Sequence, residues 1–142
     1  MKAVLLLADA AEVTNGKVSS LGAGWSVTAT PTPPMALVAV IDVPWDQTNQ
    51  KHQLVIELRD ADGRAVSFQR GPEGQPLPAL HVEAEFEVGR PPGVPAGTPM
   101  RHQLAIALAG GVPLAAGEKY EFHLTIDGED MDSWLATFLV RP

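Results

Sequence analysis

Leu80-His81-Val82-Glu83-Ala84-Glu85-Phe86-Glu87-Val88 is the stretch whose reading decides the fold. Leu80, Val82, Ala84, Phe86 and Val88 alternate with His81, Glu83, Glu85 and Glu87, and a strand sends successive side chains to opposite faces. One face therefore meets a core while the other is acidic and wet. The same period recurs on both sides of this stretch. Upstream, Leu54, Ile56 and Leu58 alternate with Gln53, Glu57 and Arg59; downstream come Leu104, Ile106 and Leu108, then Tyr120, Phe122, Leu124 and Ile126, then Trp134, Ala136, Phe138 and Val140. Met35 to Val43 is apolar at almost every position, which fits a central strand covered on both sides. Val4 to Ala8 reads as a further buried strand.

Turn chemistry separates these runs. Asn15-Gly16 suits a type I′ hairpin, in which both central residues take positive φ. The returning strand is expected over Val18 to Thr30, with Gly22 and Gly24 marking a bulge or a close backbone approach. Asp60-Ala61-Asp62-Gly63 is a second turn, with Arg64 to Gln69 as the hairpin partner of the strand before it. The 13 prolines cluster between apolar runs. Gly89 to Gly97 is a stiff loop, because proline fixes φ and has no N–H to give a ladder. Leu114 to Tyr120 resembles the corner of immunoglobulin-like sandwiches where a Tyr hydroxyl bonds nearby backbone. The expected architecture is an all-β antiparallel sandwich over residues 1–142, immunoglobulin-like or a similar Greek key, with about eight strands.

Composition excludes several functions. The chain has 142 residues, a net charge of −7 and no cysteine. Without a basic run it lacks the electrostatic footprint of nucleic-acid binding, and without thiols it has no disulfide framework or Cys-based metal site. No apolar stretch approaches the ~18 residues of a membrane span. Lys2 followed by Ala3 to Ala8 and Ala8-Asp9-Ala10 imitates a secretion leader, but the apolar run is short and Asp9 interrupts the small-residue site. The expected address is cytoplasmic.

A search for chemistry gives little. The four histidines have no nucleophile context around them, and they read as solvated or rim residues. His52-Gln53-Leu54-Val55-Ile56-Glu57-Leu58 and His102-Gln103-Leu104-Ala105-Ile106-Ala107-Leu108 resemble each other, a similarity too short to establish a repeat. No catalytic residue and no cofactor is expected. Asp127, Glu129, Asp130 and Asp132 are the one candidate metal cluster, as oxygen ligands for calcium, against the plainer reading of a solvated Asp-Gly hairpin. Of the tryptophans, Trp25 and Trp134 share parity with core positions, whereas Trp45 enters a polar loop after Pro44.

Three segments carry a resemblance: Ala8 to Lys17 with Leu21-Gly22-Ala23-Gly24-Trp25, then Val43-Pro44-Trp45-Asp46-Gln47-Thr48-Asn49-Gln50-Lys51-His52, then Phe86-Glu87-Val88-Gly89-Arg90-Pro91-Pro92-Gly93. As a set they resemble a family of small uncharacterised bacterial β-sandwich proteins. The resemblance covers nearly the whole chain and implies a sandwich of bacterial origin, in some cases phage-borne, with no established activity and no catalytic residue to carry over.

The expected function is a non-enzymatic protein-interaction or structural module. Its contact residues are Trp45, Asp46, Asn49, Arg90, Pro91 and Pro92, on loops that lose little entropy on binding because they are stiff. Arg90 is expected to pair with an acid across the sheet. The alternatives are self-association, including service as a virion-associated decoration protein, and calcium-dependent or carbohydrate binding.

Overall fold

Strands form where the period of two falls and end where glycine and proline interrupt it. The computed structural model describes residues 1–142, apart from the side chain of Gln69, and is all-β with one 3-10 turn at Trp45–Gln47. Its strands are β1 (Lys2–Ala8), β2 (Ala10–Thr14), β3 (Lys17–Leu21), β4 (Val27–Thr28), β5 (Met35–Val43) and β6 (Lys51–Asp60). They continue with β7 (Ser67–Arg70), β8 (Pro76–Pro78), β9 (Val82–Glu87), β10 (Met100–Leu108), β11 (Lys119–Ile126) and β12 (Leu135–Val140).

Two sheets make the sandwich. One has the order β1-β5-β10 and the other β4-β12-β11-β6-β9, while β2–β3 and β7–β8 stand outside them as separate hairpins. Every pairing is antiparallel except β4 with β12, which is parallel at Leu139↔Val27 and Val140↔Thr28. β1, β5 and β10 stand where an immunoglobulin-like fold has strands A, B and E; β6, β11 and β12 stand as C, F and G. β9 lies beside β6 as an extra edge strand, and among the described residues no strand pairs with the outer side of β10.

The inner faces share one core. Leu7, Leu37, Ile41 and Val43 from the first sheet meet Leu54, Ile56, Leu58, Phe122, Leu124 and Val140 from the second, all 2% exposed or less. Each such side chain contributes about 1.5–3 kcal/mol relative to exposure, less the entropy of ordering it. β5 is buried on its outer face too, as its unbroken apolar run requires. Ala36 and Val38 are covered by the β2–β3 hairpin through Ala11 and Val18, and the Val18 N–H donates to Gln103 Oε1 at 3.1 Å.

Several turns follow their residues. Asn15 and Gly16 take φ of 53° and 72°, giving the type I′ hairpin. Asp60 Oδ1 accepts from the N–H groups of Asp62 and Arg64 at 2.9 and 3.0 Å. The Ala115 N–H donates to the Tyr120 hydroxyl at 2.9 Å, the tyrosine corner expected from the spacing.

Two expectations need correction. The strand expected over Val18 to Thr30 is two strands in different places. Gly22 and Gly24 take positive φ and turn the chain after β3, so that it leaves the β2–β3 hairpin and β4 pairs with β12 at the edge of the five-stranded sheet. Of Arg64 to Gln69, only the first part returns beside β6, through Asp60 N–H to Arg64 O and Val66 N–H to Leu58 O. Ser67 onward leaves to pair with β8.

Candidate functional site

The loops at one end of the sandwich are knitted together by Arg90. After β5 the chain makes the 3-10 turn Trp45–Gln47, and Thr48 closes it. The Thr48 N–H and hydroxyl both donate to the Trp45 carbonyl, at 3.3 and 2.7 Å. Asn49 then takes φ of 59°, a left-handed conformation that Asn tolerates better than most residues. Its N–H donates to Val88 O at 2.7 Å, joining this loop to the end of β9.

Arg90 follows at once. Its Nη2 donates to Trp45 O and its Nε to the Thr48 hydroxyl, both at 2.6 Å, and its Cζ sits 4.0 Å from the centroid of the Trp45 ring. One guanidinium thus holds the turn by its backbone, its threonine and its indole. The expected partner of Arg90 was an acid; the structure gives it the Trp45 carbonyl and the Thr48 hydroxyl instead, both within reach of the loop that follows β9. Of the six proposed contact residues, Trp45 is half-buried beneath Arg90, while Asp46, Asn49, Arg90, Pro91 and Pro92 are exposed around it.

A second tie lies beside the first. His52, near the start of β6, is 3% exposed. Its Nδ1 lies 2.6 Å from Asp127 Oδ2 and its Nε2 lies 2.8 Å from Gln47 O. Asp127 Oδ1 accepts from the Gln53 N–H at 2.9 Å, and its own N–H donates to Gln53 O at 2.8 Å. Asp127 and Gly128 take φ of 53° and 77°, turning β11 back on itself. Burial works against a charged His52, but its bonds to Asp127 and Gln47 outweigh it and hold the pKa above the ordinary 6.5. For Asp127, too, burial opposes charge, and the bonds from His52 and Gln53 overcome it and lower the carboxyl below 3.8.

The similar heptapeptides on β6 and β10 lie in facing sheets. Phe86 sits between their histidines, with ring centroids 5.2 Å from His52 and 4.8 Å from His102. Burial lowers the His102 pKa. The expectation of solvated histidines thus fails for His52 and also for His123, which is 9% exposed; His81 is exposed and lies 3.0 Å from Glu83. No local signal marks the His52 to Asp127 pair, whose members are 75 residues apart.

The acidic cluster does not converge. Both carboxylate oxygens of Asp127 are engaged, Asp130 Oδ2 lies 3.7 Å from His123 Nδ1, Glu129 lines a cleft and Asp132 is exposed. Among the described residues, no group of three or more His, Asp or Glu side chains is placed to hold a metal ion. That cleft, of 440 Å³, is bounded by Met1, Gln47, Asp127, Asp130, Met131 and Trp134. With Nε2 against a carbonyl and Nδ1 against a carboxylate, His52 has no ring nitrogen free to exchange a proton with a substrate.

Fold and loops together describe an immunoglobulin-like sandwich whose pre-ordered features are tied loops. The model of a family of unknown function, DUF6941, matches residues 3–137, and the chain belongs to that family. No curated protein and no solved structure matches it.

Proposed function

We propose that this chain is a non-enzymatic recognition module that binds a protein partner through the end of the sandwich built from the β5–β6 and β9–β10 loops. The observation that carries the reading is the Arg90 clamp. It orders two loops distant in sequence into one surface before any partner arrives, so association costs little loop entropy. Aromatic and arginine side chains at the centre of a surface, with polar and proline residues around them, are what protein interfaces favour. The engaged state of His52 and Asp127 supports a binding role over a catalytic one.

The test is affinity capture from the native cell with the tagged chain, wild type beside Asp46→Lys/Pro92→Asp. Those two residues are exposed and make no side-chain bond that holds the loops, so the fold should survive. Proteins retained by the wild type and lost to the variant support the reading. A captured set that the variant leaves unchanged removes this surface from consideration.

Self-association is the second reading. Val4 and Leu6 are 53% and 39% exposed on the outer face of β1, an apolar pair on an edge strand. A light-scattering mass that stays at one chain as concentration rises would dispose of it.

A further inference from the structure

We infer that His52 is a proton-dependent latch between the β5–β6 loop and the β11–β12 turn, closed while its ring carries two protons and open when one leaves. The inference goes beyond the recognition reading and does not rest on it. It begins with the acceptors. The oxygen of Gln47 opposite Nε2 is a carbonyl and can only accept, so Nε2 must carry a proton. The oxygen opposite Nδ1 belongs to a carboxylate, which when ionised also only accepts, so at 2.6 Å Nδ1 must carry one as well. The closed arrangement therefore holds an imidazolium and a carboxylate.

A neutral ring satisfies only one side. The remaining proton stays at Nδ1, where the acceptor is an ionised carboxylate and the bond the stronger, and the bare Nε2 lone pair then faces the Gln47 carbonyl. Two acceptors at that separation repel. Gln47 is half-buried and lines the 440 Å³ cleft, where water can take up its carbonyl. Opening therefore frees the Trp45–Gln47 turn while Asp127 stays with His52. Gln47 walls that cleft with Asp127, Glu129 and Asp130, so the latch sets its shape.

The groups facing His52 leave the decision to this pair. The β11–β12 turn supplies Asp127 and the β5–β6 loop supplies only the Gln47 carbonyl. β9 presents the uncharged Phe86, and beyond that ring stands His102 of β10, which burial keeps from adding a competing charge.

The experiment is a pH titration of the histidine ring nitrogens and backbone amides by NMR on the full chain. The expected result is a His52 midpoint above 6.5, with the amides of Gln47, Thr48 and Asn49 moving at the same midpoint. Asp127→Asn should lower that midpoint by about one unit, with the turn amides following it to the lower value. His102→Gln should leave both unchanged. A wild-type His52 midpoint at or below 6.5, or turn amides that do not follow it, would overturn the latch even if Asp127→Asn fails to fold.

Discussion

Arg90 lies over the indole of Trp45, 4.0 Å from its centroid, while donating to the carbonyl of that same residue at 2.6 Å. The two residues are 45 apart in the chain, and their contact makes one surface of two loops. Removing it should be felt in stability. Arg90→Ala loses two hydrogen bonds and a cation–π contact at a solvent-facing site, a cost of about 1–2 kcal/mol by urea denaturation. Arg90→Lys should recover only part of this, because an ammonium cannot reach carbonyl, hydroxyl and ring in one plane.

The tyrosine corner offers a cleaner deletion. Tyr120→Phe keeps the ring against Phe138 and removes only the acceptor for the Ala115 N–H. A loss of about 0.5–1.5 kcal/mol is expected, read as a lowered thermal midpoint. An unchanged midpoint would mean that Ala115, which is exposed, finds water just as well.

Gly110 tests backbone packing. A Cβ there would come within 2.7–2.8 Å of Pro34 N, Pro33 C and Thr32 O, all backbone atoms that cannot swing aside. Gly110→Ala should cost about 1–3 kcal/mol or more, as other overpacked sites do. Glycine is needed here for room, and the denaturation midpoint of the purified variant is the check.

The His52–Asp127 pair gives stability a pH dependence with a definite sign. His52, with its pKa raised, contributes fully below 6.5 and loses that contribution as pH rises through the raised value. Asp127, with its pKa lowered, contributes above 3.8 and loses it as pH falls through the lowered value. The stability gap between wild type and Asp127→Asn should therefore be largest between 3.8 and 6.5. There it should reach roughly 1–2 kcal/mol, allowing for a carboxylate partly in water, and shrink in alkali. Urea melts of both proteins at about pH 5 and about pH 9 would show it.

Much of the fold was legible because period-two patterning reports which face of a strand meets the core. Leu54, Ile56 and Leu58 are buried as their alternation requires, and Asn15-Gly16 turns as its dipeptide requires. Local pattern carries no information on which distant strand pairs with which. The chain from Val18 to Thr30 therefore read as one strand, although its glycines take it from the β2–β3 hairpin to the edge of the five-stranded sheet. The site was legible in the same partial way. Trp45 and Arg90 stood out as an aromatic and a charge in stiff loops, but their contact depends on folding. His52 looked like a rim residue because its partner lies on a turn far along the chain.

The central claim is that the two loops form one pre-ordered surface, and amide hydrogen exchange on the free chain tests it most directly. The account predicts that the amides of Thr48 and Asn49, which donate to Trp45 O and Val88 O, are protected in the wild type. In Arg90→Ala they should exchange faster by a larger factor than the amides of β6 and β11, which report only the global loss of stability. Unprotected Thr48 and Asn49 amides in the wild type would mean that the loops are not ordered in advance, and would contradict the claim.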